Sequence, residues 1–331
     1  MIIKSIKAFR NIFHAFLNNF YHFGFNVAFF KAVDGITYRH PLSAIYALVN
    51  EKKHKSIKKY LLKKYSPFVK NYTCDSAESS IKVANHKYIN KIIWLCWWQG
   101  ENALEGIAKI CVNSIKENAG DCNVIFITKD NYAKYVEIPE FVIKKKDRGI
   151  ISLTQFSDIL RINLLNKHGG IWIDATVLIT NTLPQSYFDY VFYSFKNKAV
   201  SNVFISNCRW ASHFMGGEKG HVLFDFVSKL FYEYWEKEVV LIDYILIDYL
   251  IDIGYEHSDQ IRKAIDDVPF NNPSKDEMAK ILNECFDPAE YGMLSKNTSL
   301  FKLSRKMNYI ENTNRGAITF YKYFSDKYSR E

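Results

Sequence analysis

Asp158, Arg161, Asp174 and Thr176 are the residues whose types and spacing lend themselves to chemistry. They fall in one stretch, Ile151 to Thr182, where a helix, a turn and a strand follow one another. From Thr154 to Lys167, Phe156, Ile159, Leu160, Leu164 and Leu165 recur at helical spacing, and Gly169-Gly170 supplies the stop. Asp158 and Arg161 therefore share a helix face. From Ile171 to Thr180 the apolar residues run almost unbroken, which predicts one buried, central strand. Along it Trp172, Asp174 and Thr176 point one way, and Ile171, Ile173 and Ala175 the other. A carboxylate in such a run must be paired, hydrogen-bonded or metal-bound. Two readings stay open. In one, Asp158 and Arg161 form an ordinary ion pair on the helix surface and Asp174 caps a loop where the strand ends. In the other, the stretch holds an anionic, metal-bound ligand, with Arg161 supplying donors and Asp174 a hard oxygen for a divalent cation.

The run FSDILRINLLNKHGGIWIDATV resembles the core signature of bacterial capsular polysaccharide synthesis glycosyltransferases, relatives of the family-32 sugar transferases and of the large clostridial glucosylating toxins. Ser157, Asp158 and Arg161 match the Ser-Asp-x-x-Arg helix of those families. Gly169, Gly170, Trp172 and Asp174 match their Gly-Gly-x-aromatic-x-Asp-x-Asp strand. The resemblance implies a GT-A-like nucleotide-diphospho-sugar transferase fold, α/β, with a mixed, mostly parallel central sheet flanked by helices. It implies that Ser157, Asp158, Arg161 and Trp172 hold the donor, Asp158 gripping sugar hydroxyls, and that Asp174 and Thr176 hold Mn²⁺ or Mg²⁺. At Thr176 the chain departs from the pattern, because many relatives carry a second Asp there and a hydroxyl is the weaker ligand.

Two further segments carry the same resemblance. CWWQGE resembles the segment in which an aromatic stacks on the nucleotide base, which makes Trp97 the base-stacking candidate, with Trp98 one residue away as the alternative. TSLFKLSRKM resembles the closing motif, in which basic and hydroxyl groups approach the diphosphate, and so marks Lys302 and Lys306. Asp243 and Asp248, in the run LIDYILIDYLIDIG, are acceptor-side or nucleophile-like candidates by the same likeness and structural carboxylates otherwise. His213, in an expected loop from Cys208 to Gly220, is a further acceptor-side candidate.

These residues need a scaffold. Ile89 to Trp98 reads as a buried strand, Ala103 to Glu117 as a helix with Leu104, Ala108, Cys111 and Ile115 inward, and Asn123 to Thr128 as a second strand. Strand, helix, strand opens a nucleotide-binding α/β unit, whose ligands sit beyond the carboxyl ends of the strands. Short strands at Tyr190–Lys196 and Asn202–Ser206 and a helix at Leu223–Glu236 complete the expected order. Lys144, Lys145, Lys146 and Arg148 are read as a solvated run within reach of phosphates.

A chain of 331 residues, 48% hydrophobic and 24% charged, is globular and long enough for a large core. Residues 1–70 hold 13 Lys/Arg against Asp34 and Glu51, a net of +11, so the remaining residues are nearly neutral. That segment is expected to be a basic, aromatic-rich helical region over residues 1–85, ahead of a catalytic domain over 86–331. Pro67 to Asn85 reads as a polar connection. Phe9, Phe13, Phe16, Phe20 and Phe23 predict an amphipathic helix over 11–30, lying on a membrane or packed on the main domain. Asn11, His14, Asn18, Asn19, His22 and Asn26 argue against a membrane span. No nucleic-acid motif accompanies the basic segment, so an anionic membrane surface is the expected partner. The lysines of KKHKSIKKYLLKKY are either a solvated face or a lipid-docking one. Six scattered cysteines form no metal or disulfide pattern and suit a reducing cytoplasm, with peripheral attachment to the inner face of the plasma membrane.

The expected activity is transfer of a sugar from a nucleoside diphosphate sugar, a UDP-sugar first among them, to a growing surface polysaccharide that is lipid-linked. Retention of anomeric configuration follows from the resemblance alone. The rivals are a membrane-associated sugar-binding protein without turnover, and a glycosyltransferase acting on a protein.

Overall fold

The computed structural model describes residues 2–37, 44–79, 89–198 and 203–329. Three helices lead: α1 (Ile2–Phe23), α2 (Phe25–Thr37) and α3 (Ala44–Ser79). The helix expected over 11–30 is broken at Gly24, whose φ of +83° lets the chain turn between α1 and α2. Phe23, Val27 and Ala28 pack inward. Phe13, Leu17, Phe20, Tyr21, Phe25 and Phe29 stay outside, Tyr21 at 85% exposure. Phe16 stacks on Phe20 and meets Phe25 edge-on, so one aromatic patch spans both helices.

The polar connection expected from Pro67 is instead the last third of α3, which continues through that proline to Ser79. Ile57, Leu61, Tyr65 and Val69, four apart and buried, explain why: the helix face is held against the body on both sides of Pro67. The basic run of α3 is only partly solvated. Lys58 pairs with Asp252 at 2.9 Å and with Glu256 at 2.6 Å, Lys64 with Glu238 at 2.5 Å, and Lys53 with Asp34 at 2.8 Å. Those lysines bind the helix to its neighbours, whereas Lys52, Lys59 and Lys63 face solvent. The expected domain boundary at Asn85 lies outside the described residues.

The body begins with β1 (Ile92–Cys96), α4 (Gly106–Glu117) and β2 (Asn123–Ile127), the strand, helix, strand unit read from the sequence. Then come α5 (Glu140–Asp147), α6 (Leu153–His168), β3 (Gly170–Ile173), β4 (Val177–Ile179), β5 (Phe192–Ser194) and β6 (Phe214–Gly217). Helices α7 (Val222–Lys237), α8 (Leu246–His257), α9 (Asp259–Asp266), α10 (Met278–Ile281) and α11 (Pro288–Asn297) precede β7 (Leu300–Lys302) and α12 (Phe320–Tyr328). The central sheet has the order β2-β1-β3-β6-β5, parallel across β2, β1 and β3, with β6 antiparallel to both neighbours. Two of its four strand pairings are parallel and two antiparallel, so the sheet is mixed rather than mostly parallel as expected, with helices around it. Trp94, Trp172, Phe156, Phe192 and Phe214 fill its core.

Three expectations are corrected. The strand expected over Ile171 to Thr180 is two strands in two sheets, since β3 belongs to the central sheet and β4 pairs only with β7. The loop expected from Cys208 to Gly220 contains β6, whose glycines allow it to lie close to β3: a Cβ on Gly216 would come within 2.7 Å of the Gly170 carbonyl. Val203 to Ser206, expected as a strand, form turns, and Asn202 lies outside the described residues.

Gly169 and Gly170 end α6 and start β3 in one step. Gly170 has a φ of +97°, and a Cβ there would meet the Ile92 carbonyl at 2.6 Å. The Trp94 indole donates to the Gly169 carbonyl at 2.8 Å and ties the helix end to β1.

Candidate active site

The sequence from Ser152 to Thr176 places its polar side chains through two local features. Ser152 caps α6 by accepting from the Gln155 amide, which sets the helix register. The strand then stops at Ile173, and the turn Asp174-Ala175-Thr176 lies between the two sheets, closed by the Val177 amide donating to the Asp174 carbonyl at 2.9 Å. The Asp174 amide donates in turn to the His213 carbonyl at 2.9 Å. Asp174 thus stands at the carboxyl end of a central strand, where α/β sheets place their ligands.

Arg161 organises the site. Its guanidinium meets Asp158 at 3.2 Å and Asp174 at 3.0 Å, and lies 4.9 Å from the Trp172 ring centre. The Trp172 indole donates to the same Asp174 oxygen at 2.9 Å. Lys302 completes the cluster from β7, 3.4 Å from the other Asp174 oxygen and hydrogen-bonded to the Thr176 hydroxyl. Burial pushes the Asp174 carboxyl up, but Arg161 and Lys302 outweigh it and hold the carboxyl below its ordinary range.

The residues singled out for the donor and the metal, except Asp158, line one cleft of about 600 Å³. Trp97, Ser157, Arg161, Trp172, Asp174, Thr176, Lys302 and Lys306 all contribute to its wall. Asp158, expected to meet sugar hydroxyls, is 6% exposed and sits behind Arg161, where it also accepts from Gln155 at 3.2 Å. It orients the guanidinium rather than facing the cleft. Trp172 is 1% exposed and holds Asp174. Between the two tryptophan candidates, Trp98 packs among Tyr132, Phe156 and Lys146, while Trp97 carries the Arg305 guanidinium 4.6 Å from its ring centre. A second cleft of about 620 Å³ shares Trp97 and Arg305 with the first.

Other candidates lie elsewhere. Asp248 accepts from the Trp210 indole at 2.8 Å, and Asp243 accepts from the Ile245 amide at 3.3 Å, both structural bonds. Neither lines the cleft. Lys145 donates to the Glu238 carbonyl at 2.8 Å at the end of α7, so it is not part of a solvated run. Burial pushes the Cys96 thiol at the cleft floor up to about 12, which makes it inert. Sequence reasoning missed Gln155, Tyr244 and Arg305. Gln155 lies three before Asp158 on the same face and donates to the Tyr244 carbonyl at 2.8 Å, so it had a local signal. Arg305 stood inside the closing motif beside Lys306.

Burial pushes the Asp158 carboxyl up to about 7 against the pull of Arg161, with Asp174 and Asp248 adding to the rise. The folded carboxyl thus keeps a proton that the unfolded one has lost above its ordinary 3.8. This group's contribution to stability is largest at low pH and falls as pH rises toward 7. Only the ionised form grips Arg161 fully, so catalytic efficiency is expected to rise with pH through this range. A pH profile of kcat/KM checks it: Asp158→Asn should remove that acid limb, and an unchanged limb would assign it to another group.

The residues present do not suit a divalent cation. Asp174 is one carboxylate with both oxygens engaged, and Thr176 adds a hydroxyl already bonded to Lys302. His213 contributes an imidazole whose Nε2 has no hydrogen-bond partner, but no group of three or more His, Cys, Asp or Glu side chains able to hold a metal occurs among the described residues.

The description "capsular polysaccharide synthesis protein" belongs to the family whose model matches residues 42–324. No curated protein matches the chain. Among solved structures the chain is similar to one titled PaToxG glycosyltransferase, at 15% identity over 74% of this chain and 95% of that one, with a TM-score of 0.35. That likeness is too slight to weigh on fold or function. The family match spans most of the 331 residues, and on that ground the chain belongs to the capsular polysaccharide synthesis family and is a glycosyltransferase.

Proposed function

We propose that the protein moves a sugar from a nucleoside diphosphate sugar, a UDP-sugar first among them, to a hydroxyl of a growing capsular or other surface polysaccharide, on a GT-A-like scaffold. The observation that carries this reading is the cleft's charge: Arg161, Lys302, Arg305 and Lys306 stand against Asp174 as the one acidic lining residue, and Trp97 lies beside them. A diphosphate suits the cations and a base suits the indole face. In the transfer, the bond from the anomeric carbon to the diphosphate oxygen breaks and its electron pair stays on the diphosphate. The acceptor hydroxyl oxygen bonds to that carbon, and its proton leaves with the diphosphate. Cations placed in advance around the leaving group favour that step. Configuration is retained if the family analogy holds, and the anomeric coupling constant of the product reports it.

The test is release of nucleoside diphosphate from UDP-, GDP- and dTDP-sugars by wild type and by Asp174→Ala. Release from one donor, lost in the variant, supports the reading and names the donor. Binding without release, with acceptor glycan present, would mark a sugar-binding protein instead.

The acceptor is proposed to be lipid-linked, because the aromatic patch of α1 and α2 is exposed on a segment of net charge +11. No helix among the described residues is long and apolar enough to cross a membrane, so the patch would lie in the interface. Flotation with anionic vesicles, lost for Phe20→Ser with Phe25→Ser and weakened by salt, is the expected result. Equal flotation with neutral vesicles would remove the charge part of the proposal.

A further inference from the structure

We infer that Lys302 takes the place of a divalent cation in this chain, so that the nucleoside diphosphate is held and its leaving charge neutralised without metal. The inference rests on the donor reading above and specifies its chemistry.

Three observations converge on it. The first is position: the Lys302 ammonium bridges Asp174 and Thr176, the very pair of side chains expected to hold Mn²⁺ or Mg²⁺. A metal bound there would have to displace it. The second is how the lysine is held. β7 runs antiparallel to β4 with Lys302 opposite Val177, and the next amide, of Leu303, donates to the Thr176 carbonyl at 2.8 Å. The Lys302 amide is engaged as well, donating to the Lys275 carbonyl at 2.7 Å. The ladder thus fixes the backbone of Lys302 beside Thr176, so the side chain needs no long excursion to reach the site. An Asp at position 176 would offer a second carboxylate to a metal, whereas the Thr present accepts a hydrogen bond from the ammonium.

The third is charge. Lining residues Arg161, Lys302, Arg305 and Lys306 give four positive charges against the one negative charge of Asp174, a net of +3. With Asp158 ionised behind Arg161 the balance is +2, which matches the two negative charges of a nucleoside diphosphate sugar's pyrophosphate. Sites for Mg²⁺ and Mn²⁺ concentrate carboxylate and other oxygen donors to offset the ion. This cleft does the reverse.

The experiment titrates the full chain with UDP, GDP and dTDP by calorimetry, in EDTA and then in excess Mn²⁺ or Mg²⁺, and measures Mn²⁺ uptake by the protein alone from its spin-resonance signal. One nucleotide is expected to bind with Kd values within about twofold of each other in EDTA and in Mn²⁺, and the protein alone should take up no Mn²⁺. Lys302→Ala should weaken that nucleotide roughly 10- to 100-fold, the usual loss for a charge-assisted hydrogen bond, and Lys302→Arg should restore most of it. The double variant Thr176→Asp with Lys302→Ala should bind the nucleotide only with Mn²⁺ present. Wild-type binding that demands Mn²⁺ or Mg²⁺, or a Lys302→Ala variant that binds as tightly as wild type, overturns the inference and leaves sugar transfer standing. Binding of no nucleotide under either condition overturns both. The wild-type arms need no variant to fold.

Discussion

Arg161→Ala is expected to cost about 3–5 kcal/mol of stability, the range for removing one partner of a buried charge pair, and to abolish release of nucleoside diphosphate. The side chain is 5% exposed and touches two carboxylates and an indole. Its loss strands Asp158 and Asp174 together in a buried site. Both would then take up protons more readily, so the stability deficit should shrink as pH falls. Arg161→Lys keeps the charge but not the fork that reaches both carboxylates, and is expected to recover part of the stability and little of the turnover. Urea unfolding followed by circular dichroism, beside donor release, separates the two effects. A variant with wild-type stability would mean that the Asp158–Arg161–Asp174 cluster carries no net charge coupling.

Asp252→Ala should cost about 3 kcal/mol, near the lower end of the same range, because the stranded cations keep some contact with water. The Asp252 side chain is 2% exposed and accepts from Lys58 at 2.9 Å and from Arg209 at 2.6 Å. It is the point at which α3 is bolted to α8. His54, bonded to the Tyr249 hydroxyl at 2.6 Å, and Glu238, gripped by Lys64 and by Tyr60 at 2.7 Å, hold the same helix at other points. The helix should therefore loosen locally, and tryptic cleavage at Lys58 and Lys59 should speed up while donor binding persists. Unchanged cleavage would show that the other contacts suffice.

What could be read from the sequence was what neighbouring residues decide. The helix from Leu153 to His168, its stop at Gly169-Gly170 and the strand after it follow from spacing and from two glycines that permit positive φ. The break after Ile173 was hidden, because β3 and β4 are both buried throughout and the apolar run shows no change of period where the chain changes sheets. β6 was hidden for the opposite reason. Its Gly216 and Gly217 look like a loop, yet they are what permits close contact with β3 and with Phe224. The continuation of α3 past Pro67 has no local signal, because the contacts that carry it onward come from α7, where Phe68 and Tyr72 pack on Phe226 and the Tyr72 hydroxyl donates to Asp225 at 2.8 Å. In the site, Ser157, Arg161 and Asp174 were legible from one short segment. The partnership of Lys302 with Asp174 and Thr176 was not, since the pairing of β7 with β4 creates it and no local pattern encodes that register.

That pairing has a consequence for how the protein is made. Lys302 follows Thr176 by 126 residues, so a ribosome delivers the turn long before the lysine that bridges it. Until β7 docks, Asp174 lacks one of its two cationic partners, and the emerging chain has no closed seat for the proposed diphosphate. Nucleotide retention during synthesis would therefore report completed assembly of the body, and a chain stalled before Leu300 would carry the signature segment without its ligand.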